Sequence, residues 1–564
     1  MQTNPDPFHG AGESGETLDP VSLEVFRHLF TAAAEEMGAA LRRSAFSPNI
    51  KERRDYSCAV FSPEGTPVAQ GDHMPVHLGA MPMSVQWTLQ ELGPLEPGDI
   101  ACLNDPFAGG THLPDITLVA PVFSRATSER LGYVASRAHH SDVGGSAPGS
   151  MPLAREIYQE GLRIPPSLLH RKGEPDETFM RLLLANVRTP DERTGDLAAQ
   201  LASLHTGGLR LQELAERRGS QMVLKAMEAV VSYGERLLRA GIERIPDGRF
   251  TASDVLDDDG FGSGPVEIRA CIEVKGDGME VDFAGSASQV PGGVNAVAAI
   301  TTSATRYVVR CVVEELLGMS LPAGGGAMEA LHLRLPSGSV VAAVPPAAVA
   351  AGNVETSQRI TDVLFQALAQ ALPDRIPALS QGTMNNLAVG GEDPRTGTPF
   401  TYYETAGGGM GGGPRGEGLS GVHSHMTNSL NTPIEALEHA YPMRVVRYGL
   451  RRGSGGSGRH GGGDGLRRDL LFLGPAEVTL LTERRVTRPR GLQGGGEGSP
   501  GENVIISGSE EWKLPGKVQL RVQSGEVLSI RTPGGGGWGR VEAGATGEGA
   551  REPHPESHGE TRDP

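Results

Sequence analysis

Ile116-Thr-Leu-Val-Ala-Pro-Val-Phe and Leu131-Gly-Tyr-Val-Ala-Ser, residues 116–123 and 131–136, decide the fold at the heart of this chain. Each is a short apolar run bounded by loop residues, the pattern of a strand. The turn around Ser124 to Arg130 lets the two lie side by side. Working outward, each strand meets a glycine-bracketed polar segment. Asn104-Asp-Pro-Phe-Ala-Gly-Gly-Thr-His-Leu-Pro-Asp precedes the first, and Ala138-His-His-Ser-Asp-Val-Gly-Gly follows the second. Asp105, His112 and Asp115 are thus expected near one strand end, and His139, His140 and Asp142 near the other. Paired strands bring both sets to one point. Imidazole and carboxylate donors without cysteine fit zinc, manganese or iron better than a structural zinc clip. The glycine pairs 109–110 and 144–145 suit sharp turns or a close approach of backbone to substrate. Histidines that merely cap strands are the plainer alternative, set against six such residues in about forty positions.

A chain of 564 residues exceeds the size at which one core stops growing, so two or three domains are expected. The formal charge of -17, with only six lysines among 51 cationic residues and no basic run, argues against a nucleic-acid surface. Cys58, Cys102, Cys271 and Cys311 show no C-x-x-C spacing, so they read as small core residues of a reducing compartment. Met1 to Pro20 lacks a basic and apolar leader pattern, and no uncharged apolar run reaches membrane-spanning length, so a cytoplasmic protein without membrane association is expected.

Leu23, Phe26, Leu29, Phe30, Ala33, Met37 and Leu41 recur at three- and four-residue steps, predicting a helix from Pro20 to Ser44 with Asp19 as N-cap. Glu52 and Asp55 follow at a helix-to-strand junction, a common place for site residues. Residues 178–246 read as helices with a packing stripe, 252–290 as strands with glycine turns, and 295–317 and 356–372 as helices. The 79 glycines cluster at 407–421, 453–465, 494–501 and 534–539, as ordered loops between strands would. The expected organisation is α+β: layers of mixed helices and short strands in two to three subdomains. They comprise an N-terminal metal-site region over 18–247, a strand-rich middle over 248–345, a glycine-rich C-terminal region over 346–540, and disordered tails over 1–17 and 541–564. No P-loop is present, and the G-x-G-x-x-G matches at 10–15, 407–412 and 453–458 lie in a tail or in glycine runs, so no Rossmann unit is expected. A G-x-S-x-G elbow is likewise missing.

In order along the chain, Ser22-Leu-Glu-Val-Phe-Arg, Ile50-Lys-Glu-Arg-Arg-Asp-Tyr-Ser-Cys-Ala, Asp72-His-Met-Pro-Val-His-Leu-Gly-Ala-Met, the two segments above and Gln159-Glu-Gly-Leu-Arg-Ile-Pro-Pro resemble the hydantoinase B/oxoprolinase family. The resemblance extends through Ala351-Gly-Asn-Val-Glu-Thr-Ser, Val422-His-Ser-His-Met-Thr-Asn and Ser454-Gly-Gly-Ser-Gly-Arg, covering about 20 to 540. It implies a hydrolase acting on cyclic amides such as 5-oxoproline or a hydantoin. ATP enters only through a hydantoinase A-type partner, which makes a phosphorylated intermediate, so a hetero-oligomer is expected. A ketone carboxylase subunit or a structural subunit are the alternatives. The carboxylase-type ligand set carried over by motif is Glu52, His112, Asp115 and one of His139 or His140, with His139 favoured by alignment of the His-His-x-Asp run. His140 then faces substrate, Asp142 or Asp105 orients a ligand, and His73, His77 and Asp105 line the substrate pocket. The ion is expected to acidify a water that attacks the activated ring carbon, with Asp115 or Glu156 taking the proton. Glu404, His423, His425 and Asn428 form a second polar wall or cap loops, and the glycine runs at 407–413 and 453–463 hold an anion or serve as tight turns or subunit contacts.

Overall fold

The computed structural model describes residues 18–322 and 328–541, so the expected tails lie outside the described residues apart from Val541. Helix α1 (Pro20–Ser44) starts where Asp19 accepts hydrogen bonds from the amides of Val21 and Ser22, with proline in the first turn. It buries Phe26, Phe30, Met37 and Leu41, the predicted stripe. A four-residue helix α2 (Pro48–Lys51) then leads into strand β1 (Tyr56–Phe61).

With β2 (Pro67–Gln70), β3 (Ile100–Leu103), β4 (Asp115–Phe123), β5 (Arg130–His139), β6 (Ser167–Arg171) and β7 (Glu174–Pro175), β1 forms a seven-stranded sheet in the order β2-β1-β5-β4-β3-β6-β7. The two strands read from the sequence are its central antiparallel pair, in a register that sets Asp115 opposite His139. Both faces are covered. Helix α3 (Ala80–Leu92) lies on one with Phe61, Leu103, Val119 and Tyr133, while α1 packs on the other with Cys58, Val60, Leu118 and Val134. Double coverage explains why these strands are apolar throughout.

The remaining α-helices are α4 (Glu177–Ala185), α5 (Pro190–Arg218), α6 (Ser220–Ile242), α7 (Ala298–Leu317), α8 (Ser357–Ala371) and α9 (Ile434–Ala440). Helix α5 packs beside α1 on the same face, over β4 and β5. Strands β8 (Gly248–Leu256), β9 (Val266–Lys275), β10 (Gly278–Asp282) and β11 (Leu331–Arg334) make a second sheet, and two more sheets come from residues 386–531. The class is the expected α+β, with helices layered on several small sheets.

A buried set of charges fastens these parts. Arg484 contacts Asp254 at 2.8 Å and Asp362 at 2.6 Å, and Arg359 contacts Asp254 at 3.2 Å and Glu483 at 3.3 Å, all about 1% exposed or less. β8, α8 and the 483–484 segment are thereby joined. Removing one partner would strand a buried charge, a loss of roughly 3–5 kcal/mol.

The glycine clusters connect strands, as 453–465 does between Met443–Arg451 and Gly465–Phe472, and they also pack on one another. Four extended glycine segments run side by side and bond laterally: Gly463 N donates to Met410 O (2.8 Å), Gly535 N to Gly463 O (2.9 Å), Gly456 N to Gly535 O (2.8 Å) and Gly537 N to Gly496 O (2.8 Å). Their spacing leaves no room for a side chain, as at the axis of a collagen triple helix. A Cβ on Gly409 would lie 2.0 Å from Gly463 O, and one on Gly535 2.1 Å from Met410 O. Gly535→Ala should therefore cost roughly 3 kcal/mol or more of unfolding free energy in denaturant titrations. Gly449→Ala, where a Cβ meets nothing within 4 Å, should cost almost nothing; equal losses would contradict the packing.

Candidate metal centre

The segment ahead of β4 turns so that His112, Asp115 and, from the end of β5, His139 point inward together. His112 Nε2 lies 3.2 Å from His139 Nδ1 and 3.3 Å from Asp115 Oδ1, and His139 Nδ1 lies 3.4 Å from Asp115 Oδ1. All three are within 2% of fully buried. Donors at tetrahedral corners about 2.0–2.1 Å from an ion sit about 3.3–3.4 Å apart, so this triangle has the dimensions of three corners of a zinc-like site. Asp115 Oδ1, at its edge, has no hydrogen-bond partner among the described residues. The residues present fit a metal ion, with one face of the triangle left for a further donor.

The surroundings favour neutral His139 and ionised Asp115. Burial, against the pull of Asp115, keeps the His77 and His139 pKa values below the ordinary imidazole value, so both rings are neutral at neutral pH. Burial also works against ionisation of Asp115, but His112 and His77 outweigh it and hold its carboxyl well below the carboxylate range. Neutral imidazole and ionised carboxylate are what a metal requires. Asp115 Oδ2 is held by the Thr111 hydroxyl and by His77 Nε2 at 3.2 Å, and the other His77 nitrogen lies 2.9 Å from Ser57 Oγ. The His139 ring stacks on Tyr403 with centroids 4.1 Å apart.

The adjacent histidines separate as strand geometry demands. His139 shares the α3 face of the sheet with Asp115, whereas His140 points to the other face, where Nε2 meets Gln200 Oε1 of α5 at 2.9 Å. His140 therefore does not reach the centre. Glu52 is not among the converging donors: it ends α2, half-buried, while Arg54 turns the chain at φ 58° and Asp55 goes inward. Asp55 is 6% exposed and lines the same small cavity as His77, Asp115, His139, Asn353 and Tyr403; burial raises its pKa.

Other expected residues sit elsewhere. Asp142 pairs with Arg188 at 2.8 Å, and Glu156 is at the surface as the N-cap of the Ile157–Gln159 turn. Asp105 caps the Pro106–Ala108 turn and faces Arg163 at 3.6 Å. Pro75 starts a tight turn to His77, so His73 parts from its neighbour and lies 3.7 Å from Glu35. Glu404 is paired with Arg468 at 2.9 Å, and Asn428 donates to the His73 carbonyl.

Two walls come from far along the chain. Asn353 lies in a π-helical turn, Gly352–Thr356, a form frequent at functional sites, and its amide nitrogen is 3.1 Å from His112 Nε2 while its oxygen has no partner. Gly352 permits this approach, since a Cβ would meet Asn295 O at 2.0 Å. The loop before it is anchored by Glu160, whose Oε1 accepts from the amides of Val349 (2.7 Å) and Ala350 (2.9 Å). Only the quoted Ala351-Gly-Asn motif marked this place in the sequence; nothing local marked Tyr403.

The chain belongs to the hydantoinase B/oxoprolinase family, whose pattern matches residues 19–541. It is 40% identical to an uncharacterised protein of Methanocaldococcus jannaschii over 93% of this chain and 91% of that one. It is 39% identical to 5-oxoprolinase 1 of Arabidopsis thaliana over 92% of this chain, but spans only 42% of that protein's length. Among solved structures, the ATP-dependent caprolactamase from Pseudomonas jessenii superposes with a TM-score of 0.85 at 28% identity, covering 93% of this chain and 92% of that one. Acetone carboxylase shares the fold, with a TM-score of 0.83 at 17% identity over 92% and 76% of the two chains. Among the described residues no helix is long and apolar enough to cross a membrane.

Glu160 provides a pH signature. Burial lifts its carboxyl pKa to about 8, against about 4.3 in an unfolded chain. A raised folded pKa gives stability that is complete below the unfolded value and is lost as pH rises through about 8. Melting temperature should fall between pH 6 and 9, and Glu160→Gln should flatten that decline; an unchanged slope would rule out Glu160 as its source.

Proposed function

We propose that this chain is the metal-dependent subunit of an ATP-dependent cyclic amidohydrolase, opening 5-oxoproline or a hydantoin ring in a phosphorylated form made by an A-type partner. The observation that carries the reading is the triangle of His112, Asp115 and His139, sized for an ion and closed off by buried residues. Kinship with 5-oxoprolinases and an ATP-dependent caprolactamase supports the substrate class. The chain spans about two-fifths of 5-oxoprolinase 1, and the reading assigns ATP handling to an A-type partner in the cytoplasm.

His112, Asp115 and His139 would hold the ion, which when bound supplies Lewis acidity at the ring carbonyl and acidifies water. Thr111 and His77 fix the Asp115 carboxylate so that its free oxygen faces the histidines. The Asn353 amide, beside His112 Nε2, orients the oxygen of the reacting carbonyl. Asp55, whose carboxyl pKa burial raises, takes the proton of the attacking water and returns it to the ring nitrogen as the C–N bond breaks, and a second water then cleaves the acyl phosphate so formed to the carboxylate and inorganic phosphate. Tyr403, stacked on His139, keeps bulk water out.

The test is co-expression with the A-type partner and measurement of ADP release and ring opening on 5-oxoproline and hydantoin, without added bicarbonate. His112→Ala and His139→Ala should lose the ion by elemental analysis and lower ring opening more than about 100-fold. Asp55→Asn should lower turnover strongly, whereas Glu52→Gln should leave both metal content and rate near wild type. Full ring opening by His112→Ala, or purified wild type free of stoichiometric metal, would sink the reading.

A further inference from the structure

The cavity of the candidate centre offers about 10 Å³ to a water-sized sphere, room for about one water and not for a ring. A substrate that reaches Asn353 and His112 therefore has to displace part of the wall. Most of that wall is deep: Asp115, His139, Asn353, Met384 and Tyr403 are buried for two residues to either side. The rest is thin. Asp55, Met74 and Thr427, which also line the cavity, lie within two residues of Arg54, Asp72 and Asn428, all exposed.

On this thin side the 422–430 segment crosses the 73–76 turn as a strap. At its start Gln358 Nε2 donates to Ser424 O (3.0 Å), while His423 and His425 turn away to a separate cavity beside Tyr307 and Phe365. At its end the strap is pinned to Arg53, whose carbonyl accepts the Leu430 amide (3.0 Å) and whose guanidinium donates to Leu430 O (3.2 Å) and Ser429 Oγ (3.2 Å). Between these anchors two hydrogen bonds close the seam: Val76 N to Met426 O (3.2 Å) and Asn428 Nδ2 to His73 O (2.8 Å). The second is made by an exposed side chain. Non-glycine residues with left-handed backbone border the seam on both sides, His425 at φ 57° and Arg54 at φ 58°, a strain that gathers at ligand clamps and switch regions.

We propose that the seam between the 73–76 turn and the strap is the entrance to the candidate centre, latched by Asn428: the strap bows outward between His425 and Ser429 while Leu430 stays on Arg53. The need to admit a ring rests on the function proposed above; the opening itself is read without substrate.

Hydrogen exchange followed by mass spectrometry on the full-length chain reads that opening at the Val76 amide. Its peptide should exchange faster than those of β4 and β5 in wild type, and Asn428→Ala should speed it by about two- to tenfold, the range one hydrogen bond carries, with β4 and β5 unchanged. A Val76 peptide as slow as β5, or one that ignores Asn428→Ala, overturns the inference. Passage is read in the coupled assay with the A-type partner. Asn428→Trp loses the same bond but crowds the mouth, so its kcat/KM for ring opening should fall at least about tenfold below that of Asn428→Ala, with equal metal content; equal kcat/KM in the two variants also overturns the inference. Wild type that opens no ring, with a Val76 amide that still responds to Asn428→Ala, would sink the proposed reaction and support the opening.

Discussion

The antiparallel pairing of β4 with β5 is the constraint on which the site depends, because its register sets Asp115 opposite His139 at the end of the hairpin. From that pair the rest follows locally. His112 is brought in by the turn before β4, with the Asp115 amide donating to its carbonyl. Asp55 is tied to the same edge, since its carbonyl accepts the His139 amide and β1 pairs with β5 along its length. A one-residue slip would exchange His139 for His140 and carry the second imidazole away from Gln200. The helices on both faces resist such a slip, because it would turn every apolar side chain of β5 to the wrong layer.

Much of this was legible in the residues. Asp19, Pro20 and the three-four spacing of apolar side chains define α1 to both its ends. The strands at 116 and 131 announce themselves by apolar runs with a loop between, and the site lies at their ends because the polar segments do. The choice between His139 and His140 could not come from spacing: alternation gives one to each face, and only pairing with Asp115 decides which face is the site. Glu52 and Asp55 are likewise three residues apart at one junction, and the turn at Arg54 selects Asp55. Asn353 and Tyr403 arrive from more than 200 residues away, through a π-helical turn and a strand that read as ordinary polar and aromatic sequence.

Outside the site, two devices add to ordinary apolar packing. Buried arginine–carboxylate contacts join β8, α8 and the 483–484 segment beside the apolar core that Leu256, Ile360 and Val363 share. In the glycine segments the packing unit is the backbone itself: amides and carbonyls of four distant stretches satisfy one another with no side chains between. Compositional bias that reads as loop is here closely packed backbone, because only residues without a Cβ can be brought so close.

The glycine segments also govern the order in which the molecule can be assembled. Each glycine gives up more backbone freedom on ordering than any other residue, and no segment gains lateral hydrogen bonds until its neighbours arrive. Met410, Gly456, Gly463 and Gly535 meet one another directly, so the bundle stays open until the chain has been synthesised past residue 535. The residues around the candidate metal centre, from Asp55 to Tyr403, leave the ribosome well before that point. Non-local contacts of this kind fold slowly. Closure of the bundle thus has to wait for the end of the described chain, and it falls to the part of the chain that carries none of the proposed chemistry.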